Sequence, residues 1–137
     1  MIDEGFRRLV KGPNFGTITT LMKDGSPATQ VMWIDADDDH VLINTEIHRA
    51  KYRNILRDPR VTVTIWDADD PYEYVEVRGV VEETVTGPEA RAHIDELSER
   101  YDGHPYRNRI ESERVILKIR PTRQRTKSSS RRVRKGE

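Results

Sequence analysis

The sequence predicts a mainly β protein, a small antiparallel barrel with helices packed at its ends. Three observations carry this expectation. Short runs rich in β-branched residues recur along the chain: FGTITTLM, ATQVMWI, VLIN, RVTVTIWD, YVEVRGVVEE and RVILKI. Most of the links between them are too short for a parallel crossover. Helix-period segments are few and fall between strands as insertions, so the layers are a curled sheet and its caps. A chain of 137 residues makes one domain with one core.

In order, Ile2 to Val10 reads as a short helix, with Phe6, Leu9 and Val10 on one face. Gly12-Pro13-Asn14 ends it. Phe15 to Met22 is a strand, and Lys23 to Pro27 a hairpin turn in which Asp24-Gly25 supplies positive φ angles. Ala28 to Ile34 returns, Asp35 to Asp39 turns again, and Val41 to Asn44 is the third strand of a meander. A short helix from His48 to Arg57 follows. Arg60 to Asp67 alternates, with Val61, Val63 and Ile65 on one side and Thr62, Thr64 and Trp66 on the other. Tyr74 to Glu83 is a strand in which Gly79 marks a bulge or a close approach. Pro88 to Tyr101 is the longest helix, capped by Thr86 or Gly87, with Ala92, Ile94, Leu97 and Tyr101 on its apolar side. After an irregular loop from Asp102 to Ile110, Arg114 to Ile119 is the last of about six strands, and Pro121 closes the fold. The domain therefore spans 1–123, and 124–137 is a basic tail too polar to order itself.

Formal net charge is zero, with 24 basic and 24 acidic residues, which argues against a general nucleic-acid or membrane-surface binder. The charge is uneven: from Lys118 onward basic residues dominate. The tail has three readings, a solubilising end, a nucleic-acid contact or a clamp over an anionic ligand. There is no cysteine, so neither disulfides nor thiolate chemistry is possible. The N-terminus lacks the apolar core of a signal peptide, and no apolar run is long enough to span a membrane, so a cytoplasmic location is expected. A hydrophobic content of 34% and a mean hydropathy of -0.82 are low for a self-sufficient barrel. With apolar residues on both faces of the Trp66 strand, they predict a homodimer.

The stretch HVLINTEIHRAKYRNILRDPRVTV, His40 to Val63, organises the rest. Its helix presents Arg49, Lys51, Arg53 and Arg57 within about three turns. Basic side chains beside a helix start, with its unpaired N–H groups and positive dipole end, make an anion site. The competing reading is an amphipathic connector with a solvated charged face. His40, His48, His93 and His104 show no metal-ligand spacing, and no serine lies in a nucleophile elbow. No catalytic side chain stands out, so the reactive group of an enzyme here would be borrowed from a cofactor. Trp33, Trp66, Tyr72 and Tyr74 could face a flat ring or pack in a core or interface. Gln30 and Asn44 could bond a ring edge or a neighbouring strand.

Together, FGTITTLMKDGSPATQVMWI, VLINTEIHRAKYRNILRDPRVTVTIWDADDPYEYVEVRGVVEE and RVILKIRPTR resemble the pyridoxamine 5'-phosphate oxidase-like family. These are six-stranded antiparallel split β-barrels of the FMN-binding type. The likeness spans about residues 6 to 123 and is closest to the branch of oxidoreductases using the deazaflavin coenzyme F420. Its most specific motif is T-x-x-x-x-A-K-x-R-N-x-x-R-D-P-R-V, from Thr45 to Val61. The resemblance implies a homodimer with cofactor sites at the subunit interface. It places Lys51 on the cofactor phosphate, with Arg49, Ala50 and Asn54 beside it, and Asn44 and Thr45 at the phosphate and ribityl chain. Gln30, Val31, Met32 and Trp33 lie along the ring, and Tyr72 and Tyr74 reach in from the other subunit. Tyr52 follows Lys51 where the pyridoxamine phosphate oxidases proper have a second basic residue, and their C-terminal substrate segment is absent. Both departures favour the deazaflavin branch. The expected function is hydride transfer between F420 and a small unsaturated substrate. The alternatives are FMN chemistry on the same fold, or flavin binding without turnover.

Overall fold

The computed structural model describes residues 1–129. One antiparallel sheet of seven strands, in the order β2-β1-β5-β6-β7-β4-β3, curls until β2 stands beside β4. The elements are α1 Glu4–Leu9, β1 Phe15–Leu21, β2 Pro27–Trp33, β3 Asp35–Ala36, β4 Val41–Glu46, α2 Ala50–Arg57, β5 Arg60–Trp66, β6 Tyr74–Val85, α3 Pro88–Asp102 and β7 Arg114–Lys127. The mainly β antiparallel split barrel is thus present with seven strands, not six. The addition is β3, two residues paired to Leu42 and Val41, too short to show a period.

Local chemistry explains most elements. Asp3 caps α1 by accepting the Gly5 N–H at 2.9 Å. In the β1–β2 turn Gly25 alone takes a positive φ, +85°. Asp24 contributes differently from expectation: its carboxylate accepts the backbone N–H of Ser26 at 2.9 Å. The alternation on β5 is as read, with Val61, Val63 and Ile65 at most 5% exposed. Gly79 is both a bulge and a close approach: β6 shifts register there, and a Cβ would lie 2.4 Å from the Arg120 carbonyl oxygen.

Three expectations need correction. The meander fails, because β4 pairs with β7 and not with β2. The acidic turn lets the chain cross from one edge of the curled sheet to the other, and pairing across so short a link was assumed from proximity in sequence. Nor does Pro121 close the fold. β7 continues to Lys127 against Tyr74–Val77, and Pro121, which has no N–H to donate, sits opposite Gly79 where β6 shifts register. Residues 124–127 are therefore strand, and the tail expected beyond them lies outside the described residues from 130 onward. On α3, Ile94 and Leu97 are buried as expected, but Ala92 is exposed, and Ala90, His93 and Ser98 join the buried side.

The main core fills the inside of the curl, built on Phe6, Ile18, Ile34, Ile43, Ile65, Val77 and Leu117. Outside it, α3 packs on β7 and β4. The registers Asn44↔Ile116 and Glu46↔Arg114 place these four residues on the sheet face opposite Ile43 and Leu117, and all four are buried. The other outer face, on β1, β2, β5 and β6, leaves Phe15, Val31 and Tyr74 exposed, with Trp66 half-buried beside Tyr74. Among the described residues no helix is long and apolar enough to cross a membrane.

Candidate functional site

The seam of the barrel, where β2 and β4 meet without pairing, holds a cavity of about 270 Å³. Val31, Met32 and Trp33 of β2, with Phe15 of β1, form one wall. Asn44 and Thr45 of β4 and the α2 entry, Arg49 and Lys51, form the opposite one. Ile94 and Leu97 of α3, Tyr106 and Asn108 of the following loop, and Arg114 of β7 complete it.

Its basic end is set by helix geometry. α2 begins two residues later than its sequence suggests, so Arg49 is the N-cap and Lys51 lies in the first turn, with no side chain capping the helix. The Tyr52 N–H turns back to the Arg49 carbonyl at 3.1 Å, so the N–H groups of Ala50 and Lys51 are the first-turn donors that face a bound acceptor. Lys51 is 9% exposed, and among the described residues no carboxylate lies within ion-pair distance of it or of Arg49. Burial, reinforced by the positive charges of Arg49 and Arg114, lowers the Lys51 pKa below its ordinary 10.5. A buried ammonium without a counter-charge is costly. An anion entering the cavity relieves that cost.

Arg114 is the third cation, and it is partly balanced. Its Nη1 lies 3.6 Å from Glu46 Oε2, and its guanidinium carbon stands 5.2 Å from the centre of the Tyr106 ring. Burial lowers its pKa, against the opposing pull of Tyr106 and Glu46. Glu46 also holds the loop before β7, accepting the N–H groups of Glu111 at 2.8 Å and Ser112 at 2.9 Å. Burial pushes the Glu46 pKa up, but these N–H groups, Arg114 and His48 outweigh it and leave the value lowered. The aromatic end is rigid: Trp33 stacks on Tyr101 at 5.3 Å and 7°, and Tyr106 meets Trp33 edge-on at 6.4 Å. The Tyr101 hydroxyl donates to the Asn14 carbonyl at 2.5 Å and accepts the Ile34 N–H at 3.1 Å.

Of the residues singled out in the sequence, the fold gathers Val31, Met32, Trp33, Asn44, Thr45, Arg49 and Lys51 around this one cavity. Gln30 and Ala50 are exposed outside it. Asn54 is buried elsewhere, donating to Thr20 Oγ1 at 3.0 Å and accepting from Arg57 at 2.9 Å, which ties α2 to β1. Tyr72 is exposed away from the cavity, and Tyr74 lines a separate depression with Arg78 and Arg125. Arg53 and Arg57 turn away from the cation cluster, to the carbonyls of His48 and Leu21. Sequence reading missed Arg114, Tyr106, Asn108, Phe15, Ile94 and Leu97. Only the loop of Tyr106 and Asn108 carried a signal, as an irregular polar stretch between ordered elements.

Residues 2–128 match the family model described as pyridoxamine 5'-phosphate oxidase. A solved structure named F420 reductase is similar at 36% identity, covering 90% of this chain and 98% of that one, with a TM-score of 0.79. A conserved hypothetical protein from Mycobacterium tuberculosis is similar at 29% identity, covering 93% and 85%, with a TM-score of 0.74. A pyridoxamine 5'-phosphate oxidase-related, FMN binding protein from Nostoc punctiforme shares the fold at 17% identity, covering 82% and 72%, with a TM-score of 0.61.

Proposed function

The chain belongs to the pyridoxamine 5'-phosphate oxidase family, and on that premise we propose that it is an oxidoreductase that binds the deazaflavin coenzyme F420. The observation that carries the reading is Lys51, buried beside Arg49 and Arg114 at one end of an aromatic-walled cavity and, among the described residues, without a counter-charge. In this reading Lys51, Arg49 and the α2 start hold the cofactor phosphate, Asn44 and Thr45 lie beside it, and Val31 to Trp33 run along the ring. The bound deazaflavin supplies hydride chemistry, which needs no side-chain nucleophile. The protein's own work is to bind the phosphate, present one ring face to a small unsaturated substrate and exclude water with Trp33 and Tyr106. The relative named F420 reductase, matched over nearly its whole length, favours the deazaflavin over FMN.

A cavity of about 270 Å³ is at the small end for a ligand site and too small to enclose a phosphorylated tricyclic ring. We assign the remaining wall to a second copy of the chain, through the face that exposes Phe15, Val31 and Tyr74. Gln30, Tyr72 and Tyr74 would then serve the partner's cavity or the interface. Ala50 stands in the phosphate turn without touching the ligand, and Asn54 ties α2 to β1.

The test is titration with F420 and FMN side by side, following tryptophan fluorescence, with sedimentation to read the oligomer. Tight F420 and weak FMN binding by a dimer is the expected result. The reverse preference moves the chemistry to FMN on the same residues. Binding of neither removes the proposal, and tight binding without turnover on a quinone and enone panel reduces it to a binding protein.

A further inference from the structure

Behind the cavity wall runs a line of polar groups, half-buried at Asp35 and Arg100 and buried beyond them, crossing from β3 to β7. The Asp35 carboxylate takes Arg100 Nη1 at 3.1 Å on one oxygen and His93 Nε2 at 2.9 Å on the other. His93 Nδ1 lies 3.1 Å from Asn44 Nδ2, which also donates to the Ala90 carbonyl at 3.0 Å. Asn44 Oδ1 accepts Arg114 Nε at 2.8 Å. His93, Asn44 and Arg114 are 7%, 4% and 8% exposed. Asn44 and Arg114 line the cavity; His93 does not.

Donor and acceptor chemistry allows this line one polarity. Arginine only donates, so the Asn44 oxygen must face Arg114 and its NH₂ must face α3. One of those hydrogens goes to Ala90. The other points at His93 Nδ1, which therefore offers a lone pair, while Nε2 carries the hydrogen and donates to Asp35. A proton on Nδ1 would set donor against donor inside the protein, where an unmade hydrogen bond is expensive.

We propose that His93 is a positioning residue for the anion cavity: its Nδ1 lone pair fixes the Asn44 amide, the amide fixes the Arg114 guanidinium in the cavity wall, and protonation of the ring releases both. The proposal rests on the reading of the cavity as an anion site. The groups facing His93 are Asp35 from β3, Arg100 of its own helix through the same carboxylate, and Asn44 from β4. Arg114 and Glu46 stand one link further. A hydrogen on Nδ1 displaces the Asn44 amide, so anion binding in the cavity and proton binding at this nitrogen compete.

Sulfate is the probe, because it stays a dianion from about pH 8 to about pH 5.5, so a change in its affinity over that range belongs to the protein. Its affinity for the wild-type protein should fall as the pH is lowered through that range. His93→Phe keeps the ring and removes both nitrogens; it should bind sulfate roughly tenfold more weakly at the upper pH and lose the pH-dependent fall. His93→Gln can still offer Asn44 an acceptor but does not titrate; it should restore most of the affinity with a flat profile. Nitrogen-15 spectra of the histidines should show His93 protonated on Nε2 alone at the upper pH, whether or not sulfate binds. Equal pH slopes in the wild-type protein and His93→Gln, or a hydrogen on Nδ1 at the upper pH, would overturn the positioning role and leave the cavity reading standing. No sulfate binding by the wild-type protein at any pH overturns the cavity reading, and the positioning role with it. If His93→Phe does not fold, His93→Gln and the spectra decide the matter alone.

Discussion

Lys51 and Asn54 are neighbours one turn apart on α2, both polar and both buried, yet they belong to opposite kinds of site. Asn54 gives its NH₂ to Thr20 and takes Arg57 on its oxygen, so both ends of the amide are engaged and α2 is stitched to β1. Lys51 faces the cavity with two further cations and, among the described residues, no carboxylate of its own. A polar group whose bonds are met by the fold stabilises it. One whose bonds are unmet awaits a ligand, and its burial costs stability until the ligand arrives.

Substitution should separate the two. Asn54→Ala leaves Thr20 and Arg57 without their partner and should cost about 2–3 kcal/mol of stability by denaturant titration, with phosphate-ligand affinity nearly unchanged. Lys51→Met should do the reverse. Affinity for FMN or F420 should fall by about 1.5–3 kcal/mol in calorimetry, while the melting temperature of the unliganded protein holds or rises because an unpaired buried charge is gone. A Lys51→Met variant that binds as the wild type does would sink the assignment of the anion end.

The acid limb of stability sharpens the contrast. The Glu46 pKa is lowered from 4.5, so the stability it contributes is fully present above 4.5 and is lost as the pH falls through the lowered value. Glu46→Gln should therefore be less stable at neutral pH, with a flatter acid limb below about pH 4.5. The alkaline side belongs to Lys51. Its native pKa lies below 10.5, so without ligand the native state gains stability as the pH rises from that lowered value toward 10.5. Anion affinity should run the other way, weakening across the same alkaline window in the wild type and not in Lys51→Met. The smallest effect is expected for Arg53→Ala. Its guanidinium serves the exposed His48 carbonyl, so stability should change by no more than about 0.5 kcal/mol and anion affinity not at all.

The strands and helices were legible because each is a local pattern. Val61, Val63 and Ile65 alternate with Thr62, Thr64 and Trp66 in the sequence, and the burial follows. Lys51 and Arg49 were legible because basic residues at a helix start are adjacent in the chain. Arg114 was not, since its place beside Asn44 and Glu46 depends on the β4–β7 register. In the sequence His93 showed only its lack of metal-ligand spacing, and the packing of α3 gives it its polar partners, Asn44 of β4 and Asp35 of β3. Pro121 misled for a related reason: a proline stops a regular ladder, but a bulge on the opposite strand removes the need for its N–H.

By itself, the sequence determined the antiparallel β class, the helical insertions and the cations at the start of α2, all consequences of residue periodicity and short-range chemistry. Tertiary structure alone decided the sheet order, the continuation of β7 to Lys127 and the convergence of β2, β4, α3 and β7 on one cavity. Pairing register and sheet curl are long-range properties. They emerge from the summed burial of the whole chain, and no local stretch encodes them.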